Sequence, residues 1–135
     1  LINGLAVDNR ALKEKLSSLI NDLDYNITYD DIDASSINTI GLYLRAAGDS
    51  IGSIGDSTDV HVLDITLRLH GSTEEGSNAK CEKDIRKLVN RLTMYNKRLD
   101  NVYVVSCVQR GREYKLGVTS KGIPVYNASL LIKFN

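Results

Sequence analysis

The sequence carries no net charge: 17 Lys and Arg balance 17 Asp and Glu over 135 residues. A protein dedicated to nucleic acid usually shows a basic excess, so the balance argues against one and leaves room only for a local basic patch. No apolar run approaches the ~20 residues that a membrane span needs, so a soluble chain with no membrane partner is expected. The stretch Leu1 to Asp8 has neither a basic region nor a long apolar segment, and no secretory signal is expected there. Cysteine is scarce. Cys81 and Cys107 lack the paired short spacing of a zinc site, and with nothing else pointing to an oxidising compartment they read as buried free thiols of a cytosolic fold. The only histidines, His61 and His70, lie an odd number of residues apart on one strand, so they face opposite ways and cannot share an ion.

Catalytic patterns are missing too. No Gly-x-Ser-x-Gly turn joins a strand to a helix, and Gly52-Ser53-Ile54-Gly55 is only an echo of one within a loop. No glycine-rich phosphate loop with Lys-Ser or Lys-Thr is present. The run Asp30-Asp31-Ile32-Asp33 lacks the glycine and the closing glutamate of a calcium loop and reads as a solvated acidic turn. No catalytic residue, cofactor or metal is therefore expected.

What the chain does have is a strand and helix at its centre. From Asp59 to His70, Leu63, Ile65, Leu67 and Leu69 fall on one face, while Asp64, Thr66, Arg68 and His70 fall on the other. A helix is predicted from Ser77 to Leu99, with Cys81, Ile85, Leu88, Val89, Leu92 and Tyr95 as its apolar stripe. Ser72 to Glu75 has capping-box spacing, with Ser77 or Asn78 as alternative caps. A first helix is predicted from Leu5 to Leu23, followed by an edge-like strand over Tyr25 to Tyr29. A further strand spans Thr39 to Ala47, then a long polar loop Gly48 to Thr58. Asn101 to Gln109 is apolar at nearly every position, as expected of a strand covered on both faces. A second long connection, Gln109 to Gly122, carries Arg110, Arg112, Lys115 and Lys121 against Glu113 alone. The last strand, Val125 to Phe134, follows the only proline, Pro124, which a strand start tolerates. The predicted fold is one α+β domain over residues 1–135, order α-β-β-β-α-β-β, with both helices on one face of a largely antiparallel sheet.

Outward-facing apolar residues such as Tyr43 and Leu131 lean toward assembly of copies. From the residues alone the reading stops at an α+β domain that assembles. A small homo-oligomeric ligand-binding or regulatory domain remains the alternative.

The order of elements, with Ile40 to Asp49, Val60 to Gly71, the helix from Ala79 to Leu92 and the closing Gly122 to Phe134, resembles the siphophage tail terminator family, also called minor capsid or head-tail joining proteins. The resemblance implies a non-enzymatic virion protein of the tail-neck junction, assembled in the host cytoplasm. Its copies would form a six-fold ring that caps the tail tube protein and meets the head connector or stopper protein, with viral DNA passing through without specific contact. The contacts of such a ring are expected from outward faces and loops: Tyr43, Arg45, Asp49, Ile51 and Ile54, then Asp56, Arg110, Arg112, Lys115 and Leu131.

Overall fold

In a computed structural model, residues 13–51, 59–99 and 102–134 are described. Helix α1 covers 13–18 in the described part, and then the chain tightens into turns. The Leu19, Ile20 and Leu23 amides bond carbonyls three residues back, at 3.0–3.3 Å. The helix therefore stops short of the predicted Leu23, although Leu16 and Ile20 are fully buried as the stripe requires. The remaining elements are β1 (Asn26–Thr28), β2 (Thr39–Ile51), β3 (Asp59–His70), α2 (Ser77–Leu92), β4 (Met94–Leu99), β5 (Val102–Gln109), β6 (Tyr114–Val118) and β7 (Pro124–Phe134).

The seven strands form one sheet in the order β1-β2-β3-β7-β5-β4, with β6 paired to β7 beside that path. Every pairing is antiparallel except β1 with β2. A parallel pair cannot close by a hairpin, so residues 29–38 must leave one end of the sheet and return to the other. They do so over the face opposite the helices, where the Tyr43 hydroxyl donates to the Asp30 carbonyl at 3.0 Å. Gly41 leaves room for this arrangement: a Cβ at that position would press on the far end of the Tyr43 ring, which folds back over the glycine and would have to move.

The core lies between the sheet and the two helices. Leu63, Ile65, Leu67 and Leu69 of β3 meet Leu130, Ile132 and Phe134 of β7 and Ile85, Leu88 and Leu92 of α2 in one buried cluster that also takes in Leu16 and Ile20. Burial of each such side chain contributes about 1.5–3 kcal/mol. Cys81 and Cys107 are both free and buried in it. Burial pushes the Cys107 thiol up to about 12. Among the described residues no helix is long and apolar enough to cross a membrane.

The α+β class, the largely antiparallel sheet and the order of the predicted elements hold, with two strands added. The helix predicted to reach Leu99 ends at Leu92, because Thr93 turns extended at ψ 118° and Met94–Leu99 becomes β4 against β5. Tyr95 and Leu99 continue the helical spacing by coincidence; pairing with the apolar strand β5 decides the outcome. The second helix is capped by Gly76, whose φ of 82° suits glycine, and not by Ser77 or Asn78. Strand β2 runs on to Ile51, past a bulge between Ala46 and Gly48, so the first four residues of the predicted 48–58 loop, Gly48 to Ile51, are a strand arm paired with Asp59 to Val62. The connection 109–122 contains β6.

Replacing Ile65, fully buried at the middle of β3, with Ala should cost about 2–5 kcal/mol. Urea unfolding followed by circular dichroism reads this; a loss under about 1 kcal/mol would show that the sheet and helices are not packed as described.

Candidate functional site

On the outward face, period-two alternation along β2, β3 and β7 lines up residues in rows across the sheet. Arg45 pairs in register with Asp64, and Asp64 with Leu131; the next row holds Tyr43, Thr66 and Ser129. Arg110, just past the end of β5, is brought to the same place when its amide bonds the Ser129 carbonyl at 2.8 Å. Its guanidinium then donates to one carboxylate oxygen of Asp64 while Arg45 Nη2 bonds the other at 3.3 Å. The result is an open hollow of about 420 Å³ lined by Arg45, Asp64, Thr66, Arg110 and Ser129.

Burial by itself would raise the Asp64 pKa, but the hydrogen bonds from Arg110 and then Arg45 outweigh it, and the carboxyl sits below its usual range. Two guanidinium groups face one carboxylate, so the hollow keeps one positive charge. Both arginines remain more than half exposed while Asp64 is sheltered. Each guanidinium has five N–H donors and gives one to Asp64, so most stay available to an incoming anion. No imidazole or amine lines this hollow to act as a base on Thr66 or Ser129.

Next to it, the crossover 29–38 and β6 enclose a second hollow of about 340 Å³ over Tyr43, Arg68, His70 and Val125. His70 lies on the outward face yet is 4% exposed, because this crossover covers it. Its Nδ1 is 3.2 Å from the Ser36 carbonyl, which only accepts, so Nδ1 carries the proton. Burial lowers the His70 pKa; the Ser36 carbonyl opposes this and Arg68 adds to it. Arg68 Nε donates to Asn127 Oδ1 at 3.3 Å, and Asn127 Nδ2 to the Tyr114 hydroxyl at 3.2 Å.

Of the residues expected at an interface, the structure thus gathers Arg45, Arg110 and Leu131 around Asp64, with Tyr43 adjoining. Arg112 and Lys115 lie elsewhere, in a hollow of about 310 Å³ shared with Glu82, Ile85 and Tyr126 on the helix side of β6. Asp49 and Ile51 sit in the β2 arm opposite His61 and Asp59. Ile54 and Asp56 fall outside the described residues. Sequence reasoning missed Asp64 as the centre of the cluster. The signal was there, since a carboxylate on the outward face of a strand whose neighbours supply arginines attracts them, but register and neighbour order were needed to see it. Among the described residues no group of three or more His, Cys, Asp or Glu gathers to hold a metal ion.

No family model matches the sequence, and no curated protein does. Among solved structures, a chain of the virion of a native gene transfer agent particle is similar at TM-score 0.48 and 11% identity, over 88% of this chain and 83% of that one. A likeness of that size carries no weight for what the chain does.

Two outcomes test the electrostatics. Asp64→Asn should cost at most about 1 kcal/mol at neutral pH, since its partners are exposed. It should also flatten the acid limb, because a lowered carboxylate pKa gives stability that is present above the unfolded value and lost as pH falls through the folded one. His70 works in the neighbouring range: its folded pKa is lowered, so the unfolded chain protonates first. Stability is full above about pH 6.5 and declines as pH drops through that value toward the folded one. His70→Asn should remove that slope in urea titrations between neutral and mildly acid pH. An unchanged slope would mean His70 is not held as described.

Proposed function

We propose that this chain is a structural virion protein of a tailed phage or phage-like particle, a tail-terminator-like domain spanning residues 1–135. Its copies form a closed ring, six-fold by the family resemblance, that caps the tail tube and joins it to the head connector or stopper while DNA passes through the opening. The role is one of assembly and asks for no catalysis. The observation that carries this reading is the outward sheet face, which no described helix covers and which gathers Arg45 and Arg110 around Asp64. Two guanidinium groups that each keep most of their donors free are suited to carboxylates of another chain, and bidentate arginine contacts fix orientation as well as adding affinity. Ring contacts are heterologous, one patch meeting a different patch of the next copy, so a face of this kind does not have to match itself. The balance of 17 basic and 17 acidic residues lets copies crowd without bulk repulsion.

Negative-stain electron microscopy and light scattering of the purified chain, alone and mixed with tail tubes, test the reading. Rings of one stoichiometry at tube ends are expected. The double variant Arg45→Glu, Arg110→Glu should reduce ring formation or tail joining by about tenfold or more, on the order of 1.4 kcal/mol or above per contact set, with an unchanged circular dichroism spectrum. A chain that stays monomeric or dimeric with and without tubes overturns the proposal. So does normal joining by the double variant.

A further inference from the structure

Strand β6 is five residues long and pairs with β7 along one edge only. Along β7, the ladder partners are first β6, from Pro124 to Asn127, and then β5, from Leu130 to Phe134. Beyond β5 the sheet continues into β4; beyond β6, among the described residues, it has no further strand. Three of the four large hydrophobic side chains that stand exposed among the described residues lie on this one short strand: Tyr114 at 51%, Leu116 at 48% and Val118 at 57%. An unpaired edge combined with exposed apolar side chains is what proteins usually guard against, with charges, a bulge or a cover. Here the guard is partial. A bulge at Leu116, between Lys115 and Gly117, shifts the alternation, so Tyr114, in register with Asn127, lies on the outward side with Leu116, while Lys115 and Val118, in register with Tyr126 and Pro124, lie on the helix side.

The exposed charges on the β6 segment itself are basic, although Glu82 of α2 shares the helix-side hollow with Arg112 and Lys115, and Asp31 of the crossover shares the outward one with Leu116. Arg112, Lys115 and Lys121 are exposed, whereas the single acidic residue, Glu113, is held by Arg86 at 3.3 Å and by Gln109 at 2.7 Å. Those partners outweigh the cost of its burial and keep its carboxyl below the usual range. The acidic charge is thus already matched within the chain.

We infer that β6 is a docking edge for an extended segment of a partner protein, one that alternates apolar with acidic residues and adds as a strand beside Tyr114–Val118. In strand addition the backbone ladder supplies affinity and the side chains on alternate sides supply selection. The apolar side chains of the incoming strand cover Tyr114 and Leu116 on the outward side, and its carboxylates, on alternate positions, meet Lys115 on the other side with Arg112 and Lys121 at the ends. The edge lies apart from the Asp64 cluster and works whether or not the copies form a ring.

The probe is a capped peptide of about six residues alternating Glu and Val, the length of an ordinary strand. It is compared with a Lys and Val counterpart and with an N-methylated version that cannot pair its backbone. Amide hydrogen exchange of the full chain reads the contact. The Glu and Val peptide should slow exchange at residues 114–118 by about tenfold or more, while neither control does. Leu116→Lys, at an exposed position and so harmless to the core, should weaken the effect by about tenfold. Lys115→Glu with Lys121→Glu should weaken it and favour the Lys and Val peptide instead. No slowing at saturating peptide overturns the inference, as does equal binding of the N-methylated peptide. Protection of 114–118 that rises with protein concentration in the absence of peptide also overturns it, since the occupant is then a second copy.

Discussion

The sheet depends on how β7 divides its two edges. One edge is given to β3 along ten residue pairs; the other is shared end to end by β6 and β5. Strand β7 is therefore the most enclosed strand. Its core face, Tyr126, Ala128, Leu130, Ile132 and Phe134, is buried throughout, and even its outward residues Val125 and Asn127 are nearly covered. Both hollows of the outward face are set by this division: the first opens where Arg110 leaves β5 beside Ser129, the second where β6 lies beside Val125. The sequence of Val125 to Phe134 alternates cleanly enough to mark it as a strand, and its share of the core follows from that alternation.

The helix layer is pinned to the sheet at its polar margin as well as through its apolar stripe. The Tyr25 hydroxyl donates to Asp84 at 2.5 Å, with Lys80 3.8 Å from the same oxygen, and this ties the turn after α1 to α2. Burial, with Asp84 opposite, pushes the Tyr25 pKa well above its ordinary value. The Tyr126 hydroxyl lies 3.2 Å from Asn78 and 3.4 Å from Glu82, which ties α2 to β7. Asp84 is buried, yet it keeps hydrogen-bonding partners, so its desolvation is offset.

Much of this was legible because it is local. Strand β3 begins and ends where its alternation does, α2 begins where its stripe does, and the outward polarity of Arg45, Asp64 and Tyr43 follows from period two. The parts that were not legible depend on pairing. Tyr95 and Leu99 satisfy a helical spacing, and only the apolar strand that follows reveals that Met94–Leu99 lies against it. Tyr114, Leu116 and Val118 do alternate, but two glycines and a run of basic residues make the segment read as a connection until β7 is seen beside it. The cluster on Asp64 could not be read from spacing, since Arg45, Asp64 and Arg110 meet only once β2, β3, β7 and β5 are ordered side by side.

The division of β7's edges also has a consequence in time. Among the described strands β7 is the last to be synthesised, yet it is the one that joins the others: the β2–β3 hairpin on one side, the β4–β5 hairpin and β6 on the other. Until it emerges from the ribosome these are separate pieces with open edges, and the long-range pairings that close the sheet are slow to find. Asp64 and Arg110 sit on opposite sides of that seam. The positively charged hollow therefore comes into being together with the finished sheet, and a nascent chain cannot present it early.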